Sequence, residues 1–155
     1  MDNDLEDAVN EAYSKGIIVV AATGNNGKNM LLYPASYLNC ISVGSINKSL
    51  DISLFSNYNV FMTMVAPGED IIFDISGEKI EDNGTSFSAP LVSGTLALLK
   101  EKLREELGRK PEYSELYGEL IKNCVIINNI DRMKQGCGYL DFSAKDWEGY
   151  YEARY

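Results

Sequence analysis

Between Asp82 and Lys100 the chain carries no charged side chain, and residues 83–99 read NGTSFSAPLVSGTLALL. The run is too short to cross a bilayer. Its start signals and spacing predict a helix. Val92, Leu96, Leu99, Leu103 and Leu107 recur at helical intervals, and charge returns only at Lys100. Such a helix is expected to be enclosed on all sides over its first half and bare on one face over its second. Thr85 or Ser86 would cap it. Pro90 would be tolerated in the first turn, where the N–H it lacks has no partner.

A helix of that kind needs layers around it. "IIVVAAT" (17–23) is apolar at successive positions and β-branched, which suits a strand covered on both faces, as in a parallel sheet. "CISVGSI" (40–46) and "FMTMVAP" (61–67) are two further strands by the same pattern. Residues 2–15 form an amphipathic helix, with Leu5, Ala8, Val9 and Ala12 on one face, acids in the first turn and Gly16 as the stop. Residues 111–124 form another, opened by Pro111. Residues 70–84 read as a hairpin turning at Ser76-Gly77, and residues 136–147 as a loop and strand running into a tail at 144–155. The fold class is α/β: a parallel sheet with flanking helices.

The 155 residues suffice for one domain with a real core. A net charge of −9 argues against nucleic acid or an anionic membrane as partner. The acidic start "MDNDLEDAV" lacks the basic-then-apolar order of a signal peptide. If Met1 is the true start, the chain is expected to be cytoplasmic; nothing else fixes its location. Cys40, Cys124 and Cys137 show no CxxC spacing, and there is no histidine, so a structural zinc site lacks ligands. The thiols read as free and incidental, in a reducing compartment.

Two stretches carry chemistry. "VVAATGNNG" (19–27) ends a buried strand in small residues and then Gly24-Asn25-Asn26-Gly27. Ligand clefts of open α/β sheets lie beyond the carboxyl ends of parallel strands, so Asn25 falls where ligands bind, although a turn would also use it. Ser86 could simply cap its helix. A serine beside the unpaired N–H groups of a helix start is equally where an acyl-transfer oxyanion is stabilised, and a side-chain amide from a neighbouring strand end would complete that hole.

In order along the chain stand "VVAATGNNG", "YPAS" (33–36), "ISVGSI", "VAPGEDI" (65–71) and "NGTSFSAPLVSG" (83–94). This order resembles the C-terminal half of a subtilisin-like serine protease, over about residues 4–143. The resemblance implies that Ser86 is the nucleophile and that Asn25 is the oxyanion-hole amide acting with the Ser86 N–H. It implies that Ala22, Thr23 and Gly24 line one wall of the pocket for the residue before the scissile bond. Tyr33-Pro34-Ala35 matches the loop near that pocket's base, and "GCGYLDF" the pattern that closes the family domain. A peptide or protein is the implied substrate. No cofactor is implied; calcium is known in full-length members, but nothing in this sequence supports it. Leu91 stands where the family usually has a histidine that is not the catalytic base.

The catalytic aspartate and histidine of the family precede the asparagine block, and the corresponding strand and helix are absent from this sequence. A seryl hydroxyl without a base is a poor nucleophile. Lys79 and Lys100 are placed poorly to replace it. The chain is therefore expected to be inactive alone, as a truncated product, a gene fragment, or one half of a split enzyme whose partner supplies the Asp and the His. A non-catalytic peptide-binding or regulatory relative and a purely structural scaffold are the alternatives. With half of its surroundings missing, the isolated chain is expected to bare apolar surface around Phe87, Leu91, Leu98 and the edge of the strand at 17–23, and to form a homodimer, a sticky species, or a complex with that partner.

Overall fold

A computed structural model describes residues 3–143, so the expected tail at 144–155 lies outside the described residues. In chain order the elements are α1 (Asn3–Ser14), β1 (Val19–Ala22), β2 (Cys40–Ile46), β3 (Met64–Pro67), β4 (Ile71–Ile75), β5 (Glu78–Asp82), α2 (Thr85–Leu107), α3 (Tyr113–Lys122), β6 (Cys124–Val125), α4 (Arg132–Gln135) and β7 (Tyr139–Leu140). The main sheet runs β1-β2-β3-β7-β6. Its first four strands are parallel, and β6 joins antiparallel to β7, so the sheet is mixed rather than purely parallel.

Alternation along β1 and β2 divides the core. Ile18, Val20, Ile41 and Val43 face Val92, Leu96 and Leu99 of α2, while Val19, Ala21 and Cys40 face Val9 of α1 and Tyr37. Helices thus cover both faces of the sheet, the α/β layering that the unbroken apolar strands require. The hairpin β4–β5 turns at Ser76 and Gly77, both at positive φ, with Asp74 Oδ1 accepting from the Gly77 N–H.

Four expectations need correction. The first half of α2 is not enclosed. Val92, Leu96 and Leu99 are buried, but Ser86, Pro90, Leu91, Ser93, Gly94, Ala97 and Leu98 are exposed, because nothing in residues 3–143 packs on that face. Neither Thr85 nor Ser86 caps the helix; Gly84 holds the cap position without a side-chain bond, and Thr85 is the first helical residue. Pro90 lies past the first turn, so the Ser86 carbonyl loses its usual i+4 donor. Finally, the helix expected over 111–124 stops at Lys122. Asn123 bonds back to Glu119 O with its side chain, and Cys124 opens β6.

Candidate active site

The carboxyl end of β1 and the start of α2 meet beyond the sheet. Two contacts to β3 and the loop after it fix where α2 begins. Ser88 Oγ donates to Ala66 O at 3.0 Å, the Gly84 N–H donates to Gly68 O at 2.7 Å, and Ser88 itself is fully buried. Gly68 permits this approach, since a Cβ there would stand 2.6 Å from Ser45 Oγ and 2.7 Å from Gly84 O. The "VAPG" block is therefore the seat on which the helix start rests.

Thr85 ties that helix start to β1. Its Oγ1 donates to Asn25 Oδ1 at 2.8 Å, and its backbone N–H donates to the same oxygen at 2.9 Å. Oγ1 also accepts from the Gly24 N–H at 3.2 Å. With Oδ1 held, the Asn25 amide nitrogen remains as its outward group. A Cβ placed on Gly84 would lie 3.3 Å from Asn25 Nδ2 and 3.7 Å from Ser86 N. The space left by the missing side chain of Gly84 thus adjoins both donors. Asn25 and Ser86 are both exposed. Two N–H donors beside an exposed seryl hydroxyl can stabilise a developing oxyanion.

The loop that carries Asn25 is held by a residue that sequence reasoning missed. Asn57 is fully buried. Its Oδ1 accepts from the N–H groups of Asn26 and Lys28 at 3.0 and 3.2 Å, its Nδ2 donates to Thr23 O at 3.1 Å, and its backbone N–H donates to Gly24 O at 2.9 Å. Ala22 closes β1, with Thr23 and Gly24 directly after it. The Thr23 side chain is buried, and its N–H extends the β1–β2 ladder to Val43 O at 3.0 Å, so any contact from Thr23 to a substrate is made by its backbone. Tyr33 and Pro34 occupy a turn over the buried Ala35, and the Tyr33 ring packs 4.5 Å from that of Tyr37.

No base stands beside Ser86 among the described residues. Lys79 is exposed on β5, and Lys100 is exposed roughly 20 Å along α2 from Ser86. Among the described residues no three acidic, cysteine or histidine side chains gather to hold a metal ion, and no helix is long and apolar enough to cross a membrane.

A seryl hydroxyl at a helix start and a side-chain amide just past a parallel strand thus stand together at one end of an α/β sheet. The chain belongs to the subtilase family, whose family model matches residues 1–136. It is 38% identical over 149 residues to the major intracellular serine protease of Bacillus subtilis (strain 168), covering 92% of this chain and 46% of that protein. It is 39% identical over 147 residues to the intracellular serine protease of Paenibacillus polymyxa, covering 91% and 45%. Among solved structures, the prenylagaramide maturation protease PagA superposes with a TM-score of 0.82 at 31% identity, over 91% of this chain and 53% of that one. The chain thus spans about half the length of these relatives.

Proposed function

We propose that these residues are the nucleophile-bearing half of a subtilisin-like serine endopeptidase, with the peptidase unit over about residues 4–143. Ser86 Oγ attacks the scissile carbonyl of a peptide substrate. The Ser86 N–H and Asn25 Nδ2 receive the oxyanion, and the backbone of Ala22, Thr23 and Gly24 forms a wall beside the substrate residue that precedes the bond. The acyl group is then carried on Ser86 until water removes it. The observation that carries this reading is the double hold of Thr85 on Asn25 Oδ1, which leaves the amide hydrogens as the group on offer.

The proton of Ser86 has no acceptor here, since the chain has no histidine and both candidate lysines are exposed and therefore well hydrated. We place the histidine base and its aspartate on polypeptide outside these 155 residues, either continuous with it or on a separate chain. Without them, oxyanion stabilisation and binding keep only a residual ~10³–10⁴ over water in enzymes of this type.

The test is labelling of the purified chain with a fluorophosphonate probe, alone and after mixing with lysate of its source organism. The expected result is no labelling alone and labelling at Ser86 in the mixture, lost in Ser86→Ala. Peptide binding without labelling in either condition would favour the non-catalytic alternative. Labelling of the chain alone would overturn the assignment of the base to outside residues.

A further inference from the structure

Cys124 and Cys137 stand 13 positions apart with no motif linking them, yet their Sγ atoms are 2.8 Å from each other. Cys124 opens β6, and Cys137 lies just before β7, the strand that pairs with β6. Both pack against the core cluster built on α2 and α3. Cys137 also lines a cavity of about 660 Å³ at the amino ends of β2 and β3, with Met62, Tyr117 and Arg132 around it. One thiol of the pair is therefore reachable from a space large enough for a small molecule, and the other is within reach of the first.

We propose that Cys124 and Cys137 form a reversible thiol–disulfide site that takes small organic disulfides as its oxidant. Cys137 is the attacking sulfur. Its thiolate breaks the S–S bond of the incoming disulfide, forms a mixed disulfide, and releases one thiolate. Cys124 then attacks the Cys137 sulfur and expels the second. Two protein thiols lose two electrons and two protons in all, and one disulfide is reduced to two thiols. Only a small approach separates 2.8 Å from the bond length of ~2.05 Å.

The local electrostatics agree with that order of events. The two Sγ atoms share one hydrogen bond, and when Cys137 ionises first that contact with Cys124 lowers its pKa; the nearby Arg132 acts in the same direction. The same contact, with burial, raises that of Cys124. Cys40, the third thiol, lines the same cavity and so serves as an internal control for access alone. Its Sγ donates to Ile41 O, and burial pushes its pKa up to about 11. The bond would close the loop that carries α4 between β6 and β7, whose end is already tied to the chain before β3 by the Cys137 N–H donating to Thr63 O at 2.8 Å.

The test equilibrates the full chain with bis(2-hydroxyethyl) disulfide and 2-mercaptoethanol at graded ratios, blocks free thiols with iodoacetamide, and maps tryptic peptides without reduction. The expected product is peptide 123–132 linked to peptide 135–145, two hydrogens lighter than the separate pair, with Cys40 still reduced and the link lost on return to excess mercaptoethanol. In Cys124→Ala the mixed disulfide should accumulate on Cys137. Separate mercaptoethanol adducts on the two cysteines of the unaltered chain would overturn the proposal. So would full alkylation of both at the most oxidising ratio. An adduct on Cys40 in place of Cys137 in the variant would overturn the assignment of the attacking sulfur.

Discussion

The Thr85 hydroxyl and the Thr85 N–H converge on one atom, Asn25 Oδ1, at 2.8 and 2.9 Å. A single residue at the start of α2 thereby sets the rotamer of a side chain that belongs to the loop after β1. The same hydroxyl accepts from Gly24 N–H, so it bridges helix and loop.

Replacing Thr85 separates these roles. Thr85→Val keeps the volume and the backbone bond to Asn25 but leaves the Gly24 N–H without its acceptor. Gly24 is only partly buried, so the cost is at the low end of the orphaned-donor range, about 1 kcal/mol, and the urea midpoint should fall by a corresponding amount. Thr85→Ser retains the hydroxyl and should recover most of that loss. Equal midpoints for the two variants would show that the hydroxyl contributes nothing to the loop.

Asn57→Ala is expected to loosen the loop itself. It removes one acceptor from two N–H groups and one donor from Thr23 O. Amide hydrogen exchange at Asn26 and Lys28 should rise by more than tenfold, as for a segment that opens locally. Exchange at Ile41 and Val43, in the core of β2, should be nearly unchanged. Uniform acceleration across the sheet would instead mean that Asn57 supports the whole fold.

Where the chain states its own boundaries, the structure follows the sequence closely. β2 and α2 begin and end where the apolar patterns do, and Asn25 and Ser86 stand in compact motifs. The other features depend on partners far along the chain. β6 and β7 have two residues each and exist through pairing, not periodicity. Asn57 is one asparagine in a polar loop, and only the folded loop shows that it serves three backbone groups. Cys124 and Cys137 meet because β6 turns back on β7. The full enclosure expected for α2 failed for a related reason: a charge-free helix face reports that something covers it, not which residues do.

The start of α3 gives a pH-dependent prediction. The Arg109 guanidinium donates to both oxygens of Glu115, at 2.7 and 2.9 Å, and the Glu112 N–H donates to it at 2.8 Å. Those bonds, the Arg109 pair first, lower the Glu115 pKa from an ordinary 4.5 to about 2. A carboxylate depressed in the folded state stabilises fully above its unfolded value and loses that contribution as pH falls toward its folded one. The stabilisation should therefore fade between about pH 4.5 and pH 2. A carboxyl NMR titration should place the Glu115 midpoint near 2 in the unaltered chain and distinctly higher in Arg109→Ala. A midpoint unchanged by that substitution would assign the shift to the helix start alone.

The bare face of α2 has energetic consequences for the isolated chain. Leu91 and Leu98 are 49% and 53% exposed, and β1, only half-buried, forms one edge of the sheet among the described residues. If that face and edge leave on the order of 400 Å² of apolar surface uncovered, then at ~25 cal/mol per Å² roughly 10 kcal/mol of burial is forgone. That is comparable to the stability of a whole domain. The chain by itself should therefore bind an apolar dye and sediment as a dimer or larger species. Leu91→Glu combined with Leu98→Glu should suppress dye binding and self-association. If a partner polypeptide supplies the base as proposed, the same pair should also prevent labelling of Ser86 in the lysate mixture, because that partner would dock on the face that self-associates. A doubly substituted chain that labels as well as the original would break the link between this face and the completed enzyme. A monodisperse, dye-silent original chain would show that its core is already closed.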